Sequence, residues 1–264
     1  MPAPTNPFKA ALAAGRPQIG LWLGLASPIT ADLCANAGFD WLLIDGEHAP
    51  NDIRSMLAQA QVIGTRSHAI VRPAIGETHL IKQILDLGVQ TILIPMVETV
   101  AQAETLARAM LYPPHGVRGV GASLARAASY GSTPGYLASA NDQTCLLLQI
   151  ESRAGLGALD GIAATAGVDG IFIGPSDLAA DMGHLGNPAA AEVLAAIDDA
   201  IKRIRSHGKA AGILATDPAL AQHYLDLGAT FVAVGTDVGL LSGAASDLRN
   251  RFVGGPAKTR QTGY

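Results

Sequence analysis

Eight short apolar runs, each followed by a turn signal and then by residues at helical spacing, recur along the whole chain. They are Ile19–Leu25, Trp41–Asp45, Ala69–Arg72, Thr91–Pro95, Cys145–Ile150, Gly170–Gly174, Ala211–Ala215 and Phe231–Gly235. Runs apolar on both faces fit parallel strands covered by helices. Amphipathic segments lie between them at Ile29–Ala37, Asp52–Ile63, His79–Leu87, Val100–Met110, Ala190–Ser206 and Pro218–Leu227, with apolar residues three and four apart. Two of these stop at Leu87-Gly88 and Leu227-Gly228, where a left-handed glycine cap ends a helix. Eight such units predict an α/β chain closed as a (βα)₈ TIM barrel, a fold that takes about 250 residues. With 264 residues in all, positions 1–252 read as a single domain. The segment 253–264, with its Gly-Gly-Pro start, reads as a disordered tail.

Composition narrows the partners. Hydrophobic residues make up 49% of the chain and aromatics 5%, so Ala, Leu, Ile and Val must fill the core. A formal net charge of −4 without any basic run gives no attraction for nucleic acid or an anionic membrane surface. No apolar stretch approaches the roughly 20 residues of a membrane helix, and the start, Met1-Pro-Ala-Pro-Thr-Asn-Pro7, does not read as a signal peptide. Cys34 and Cys145 lie far apart in apolar surroundings and read as two buried, reduced thiols, which fits a cytoplasmic protein. The long connection from Tyr112 to Asn141 reads as a functional loop, a subunit contact or a plain surface excursion.

Barrels of this kind carry their sites at the C-terminal strand ends, and the polar residues fall there. The second run ends in Asp45-Gly46-Glu47-His48, the third in Arg72-Pro73, the fifth in Gln149-Ile150-Glu151 and the sixth in Gly174-Pro175-Ser176-Asp177. Glu151 and Asp177 offer oxygen ligands to a divalent cation, Mg²⁺ or Mn²⁺ rather than a closed zinc site; equally, both acids suit helix starts. His48 is placed to move a proton or to lie solvated in its loop. Arg72 is placed to meet a carboxylate or oxyanion or to pair with a loop acid. The other six histidines fall at strand starts, on helices, or in loops without an adjacent acid. None of the five lysines, Lys9, Lys82, Lys202, Lys209 and Lys258, follows a strand's C-terminal end, which argues against Schiff-base chemistry.

Five segments in order, Gly38-Phe-Asp-Trp-Leu-Leu-Ile-Asp-Gly-Glu-His-Ala-Pro50, Pro95-Met-Val97, Tyr112-Pro-Pro-His-Gly-Val-Arg-Gly-Val-Gly121, Gln149-Ile-Glu151 and Gly170-Ile-Phe-Ile-Gly-Pro-Ser-Asp-Leu178, resemble the HpcH/HpaI aldolase family. The likeness runs from about Phe8 to Phe252. It implies a phosphoenolpyruvate/pyruvate-type barrel with an exchanged C-terminal helix near Leu240–Arg251, assembled as a homohexamer, a trimer of dimers. It implies a class II lyase dependent on Mg²⁺ or Mn²⁺, with Co²⁺ or Zn²⁺ as substitutes, held by Glu151 and Asp177. His48 would be the general base, Arg72 the transition-state partner, and Asp86 the acid that raises the histidine's basicity, with Asp45 a second acid beside it. Gln149, Ser176, Asp177 and Arg72 would touch the substrate. The implied reaction is cleavage of 4-hydroxy-2-oxoheptanedioate to pyruvate and succinate semialdehyde, in homoprotocatechuate breakdown. A 2-keto-3-deoxy sugar acid is the alternative substrate, and a non-catalytic barrel would have lost one of His48, Arg72, Glu151 or Asp177.

Overall fold

The computed structural model describes residues 2–253. The strands are β1 (Gln18–Leu23), β2 (Trp41–Asp45), β3 (His68–Arg72), β4 (Thr91–Ile94), β5 (Cys145–Ile150), β6 (Gly170–Ile173), β7 (Ala210–Leu214) and β8 (Phe231–Thr236). Each pairs in parallel with the next, and β8 returns to β1, so the sheet is a closed barrel. The helices are α1 (Pro7–Ala13), α2 (Pro28–Ala35), α3 (Ile53–Ile63), α4 (Thr78–Asp86), α5 (Val100–Ala109), α6 (Tyr136–Gln143), α7 (Arg153–Ala164), α8 (Pro175–Asp181), α9 (Ala191–Ser206), α10 (Pro218–Leu227) and α11 (Asp237–Val253). The expected tail 253–264 lies outside the described residues, apart from Val253, which closes α11.

The period of two along a strand sorts side chains into two cores. On β2, Leu42 and Ile44 pack outward against the helices while Trp41 and Leu43 fill the barrel interior. Phe172, Leu147, Leu93 and Phe231 join the interior group. Gly20 is required there, because a Cβ would meet the Trp41 ring at 2.1 Å. Helix α1 closes the barrel at the strands' N-terminal ends. Its Phe8 stacks on His68 at 5.2 Å and meets Trp41 edge-on at 6.2 Å.

The run Ile19–Leu25 gives a strand ending at Leu23, since the N–H groups of Gly24 and Leu25 donate to the Asp237 carboxylate instead of a neighbouring strand. Cys145 is buried as expected, but Cys34 is only half-buried on α2, a correction to the sequence reading. The Tyr112–Asn141 connection joins a helix to a strand, so it lies at the end opposite the mouth. There Tyr112, Ala128, Tyr136 and Ala140 form a small core with Ala3.

Candidate active site

The pleat that sends Trp41 and Leu43 inward sends Asp45 inward too, one step beyond the last apolar layer. The same alternation points Arg72 inward above Ile70, and Gln149 and Glu151 above Leu147. These apolar residues belong to the interior core, whereas the polar ones are buried beyond it. On β6 the strand ends at Ile173, and Gly174-Pro175 starts α8, whose first turn carries Asp177.

Arg72 is 2% exposed and has an acidic partner on each of its three guanidinium nitrogens. Its Nε and Nη2 donate to Asp45 Oδ1 and Oδ2 at 2.9 and 2.7 Å, a fork-to-fork pair. Its Nη1 lies 2.6 Å from Glu47 Oε2, and its guanidinium sits 4.9 Å from the centre of the Trp22 ring. Trp22 Nε1 donates to Asp45 Oδ2 at 3.2 Å. Burial opposes ionisation of Asp45, but the bonds and charge of Arg72 outweigh it and hold the carboxyl below its usual range. Arg72 thus makes the loop salt bridge allowed by its position, and it still lines the recess.

The His48 side chain is 53% exposed, and its Nε2 lies 3.7 Å from Glu47 Oε2. Asp45, expected as an acid beside the histidine, meets only the His48 backbone: its Oδ1 accepts from His48 N at 3.4 Å, while its carboxylate as a whole serves Arg72. Asp86 stands at the end of α4 that leads into β4, away from the mouth, and pairs with Arg118 at 2.8 Å. Within the chain it does not reach His48. Glu47, which the sequence reading did not select, occupies the place beside both His48 and Arg72. Its carboxyl is pushed up by burial and drawn back by Arg72 and His48.

Glu151 takes one donor on each oxygen: Met96 N at 2.8 Å on Oε1, and Gln149 Nε2 on Oε2. Burial raises its carboxyl above the usual range; the Gln149 and Met96 bonds act against this, and the charges of Glu47 and Asp177 add to it. One recess is lined by Trp22, His48, Arg72, Gln149, Glu151 and Phe172 together with Ser176, Asp177 and Leu214. Six of the predicted site residues, His48, Arg72, Gln149, Glu151, Ser176 and Asp177, therefore meet there.

Asp45, Glu47, Glu151 and Asp177 bring four carboxylates to this end against the guanidinium of Arg72. Gln149 Oε1 is shut from solvent without a hydrogen-bond partner among the described residues. Gly174 leaves the space beside Glu151 open, where a Cβ would meet Oε2 at 2.3 Å. Excess negative charge, oxygen donors and open space suit a hard divalent cation. Among the described residues no group of three or more His, Cys, Asp or Glu is arranged to hold a metal; Glu151 and Asp177 are the carboxylates that line this recess.

The other histidines sit elsewhere. His68 is at the barrel floor, and its Nε2 lies 2.7 Å from Thr91 Oγ1. His184 and His207 do have acids beside them, Glu192 at 2.7 Å and Asp160 at 3.1 Å, contrary to the expectation for loop histidines, but none of these residues lines the recess.

A closed parallel barrel whose mouth gathers carboxylates, an imidazole and a guanidinium has the architecture of a (βα)₈ enzyme. The sequence profile of the HpcH/HpaI aldolase/citrate lyase family matches residues 18–244, and the chain belongs to that family; it is a carbon–carbon lyase of the aldolase kind. A hydroxypyruvate/pyruvate aldolase of Deinococcus radiodurans is 61% identical over 94% of this chain and 90% of that protein. A 4-hydroxy-2-oxo-heptane-1,7-dioate aldolase of Escherichia coli is 56% identical over 94% and 95%. The crystal structure of an HpcH/HpaI aldolase/citrate lyase family protein from Burkholderia cenocepacia superposes with a TM-score of 0.90 at 38% identity, covering 94% of this chain and 99% of that one. No described helix is long and apolar enough to cross a membrane.

Proposed function

We propose that the protein is a class II aldolase that cleaves 4-hydroxy-2-oxo acids to a pyruvate-type product and an aldehyde, and runs the addition in reverse. The observation that carries this reading is the convergence of Glu151 and Asp177 with His48 and Arg72 in one recess. Glu151 and Asp177 would hold a divalent cation, Mg²⁺ or Mn²⁺ by their oxygen donors, with Co²⁺ or Zn²⁺ able to substitute. When bound, the cation supplies Lewis-acid stabilisation of the enolate charge.

His48 takes the proton from the 4-hydroxyl oxygen; the C3–C4 bond then breaks, its electron pair entering the enolate as the C4 carbonyl forms. The same imidazolium returns a proton to C3, giving pyruvate. Arg72, held rigid by Asp45, presents fixed positive charge where the oxyanion develops. Gln149 and Ser176 orient the 2-oxo acid, and Trp22, Phe172 and Leu214 keep the reacting centre dry.

The E. coli relative's name supports 4-hydroxy-2-oxoheptanedioate, yielding succinate semialdehyde, as the substrate. The D. radiodurans relative's name supports a second reading, in which hydroxypyruvate is also a donor; with hydroxyaldehydes as acceptors this reading would stand close to the sugar-acid alternative. The deciding experiment measures product formation from pyruvate and from hydroxypyruvate against a panel of aldehydes. A clear kcat/KM preference for succinate semialdehyde with pyruvate supports the first; turnover of hydroxypyruvate with short hydroxyaldehydes supports the second.

The assembly is proposed as a homohexamer with α11 exchanged between paired copies. Leu240, Leu241, Leu248 and Phe252 on α11, and Ile29 and Leu33 on α2, expose apolar surface that suits a second copy. The role given to Asp86 requires such a copy to bring it to the mouth. A cytoplasmic location fits the two free thiols.

A further inference from the structure

The short link from β4 to α5 contains a backbone oddity with no packing reason of its own. Met96 has φ +56°, in the left-handed region that favours glycine, yet its side chain is largely exposed, at 49%. The link is bolted to β5 and its following turn after this residue, while before it β4 pairs with β5 as far as Ile94↔Leu148. Val97 N donates to Gln149 O at 3.0 Å, and Ser152 Oγ donates to Glu98 Oε1 at 2.7 Å. The Val97 carbonyl packs over Gly155, where a Cβ would come within 2.9 Å of it. Between these anchors the left-handed turn aims Met96 N–H at Glu151 Oε1, 2.8 Å away. Strain of this kind persists only where surrounding contacts over-determine it, and it gathers at functional sites.

We infer that Met96 is a positioning residue whose left-handed backbone fixes the Glu151 carboxylate in the orientation that grips the cation. Gln149 Nε2 holds the other oxygen, so the carboxylate plane cannot rotate, and each oxygen keeps a lone pair free. The side chain is dispensable for this role; the N–H and the positive φ are not. The inference rests on the proposed cation site at Glu151 and Asp177.

The test titrates the metal-stripped full-length protein with Mn²⁺, reading free Mn²⁺ by electron paramagnetic resonance, and follows thermal unfolding of each metal-free variant. Met96→Pro removes the N–H and forbids the angle, while Met96→Ile keeps the N–H but disfavours the angle through β-branching. Both are expected to weaken Mn²⁺ binding by about 10- to 100-fold, the usual cost of losing a partner that orients a metal ligand. Met96→Gly, which keeps the N–H and relieves the strain, is expected to bind Mn²⁺ as tightly as the parent and to unfold at a higher temperature. If Met96→Pro does not fold, the Ile and Gly pair decides. Parent-like affinity in the Ile variant, or a loss in the Gly variant equal to that in Ile, overturns the inference. A parent protein that takes up no more Mn²⁺ than its Glu151→Gln variant overturns the cation site itself, a different pattern from failure of the Met96 role alone.

Discussion

Arg72 commits three of its five guanidinium donors inside the protein, two to Asp45 and one toward Glu47, with a flat side near Trp22, and turns the rest to the recess. A lysine cannot reproduce that fork. Arg72→Lys is therefore expected to lower kcat for pyruvate release by about 10²- to 10³-fold, the range seen when a fixed oxyanion donor is lost. Steady-state kinetics on the folded variant check this. His48, Arg72, Glu151 and Asp177 were legible because each follows a run of apolar residues; for Arg72 and Glu151 the pleat then dictates which way the side chain points, while His48 sits in the loop after β2 and Asp177 in the first turn of α8. Glu47 was not. It stands beside His48 in the motif, but nothing in its type or spacing said that one oxygen would lie against Arg72 and near the imidazole. Asp45 was misassigned for the same reason, since proximity in sequence suggested the histidine while the register Asp45↔Arg72 across β2 and β3 places it by the arginine.

Among the elements, the strands were legible from their apolar runs, but α1, α6, α7 and α8 were not: three are short, and α7 is interrupted by Gly155, Gly157 and Gly161. The place of Asp86 could have been read from order alone. In a parallel barrel a helix that leads into a strand ends at the floor, so its last residue cannot reach its own mouth. The floor also makes a prediction about pH. Burial lowers the His68 pKa from the ordinary 6.5 to about 4. The unfolded chain then takes up the proton first, so the stability this neutral histidine permits is complete above about pH 6.5 and lost as pH falls toward 4. Urea unfolding is expected to show about 2 kcal/mol less stability at pH 5 than at pH 7 from this group. His68→Gln is expected to remove that share of the slope.

For the whole molecule, closure of eight strands explains why residues up to 192 positions apart, Trp22 and Leu214, arrive at one mouth. The barrel was legible because every unit repeats the same order; the outer assembly was not, because one chain's sequence does not say which apolar faces meet. Exposed leucines on α11 carry that claim. Replacing Leu240 and Leu241 with Asp is expected to shift the protein to smaller species in light scattering after gel filtration, while an unchanged mass would leave that face without a partner. The proposed catalysis turns on a cation held by Glu151 and Asp177. Its most direct test is pyruvate release from a 4-hydroxy-2-oxo acid by protein stripped of metal, with residual metal measured. The expected result is loss of turnover by at least about 100-fold, restored by Mg²⁺ or Mn²⁺ in the parent but not in Glu151→Gln. Full turnover by verified metal-free protein would contradict it.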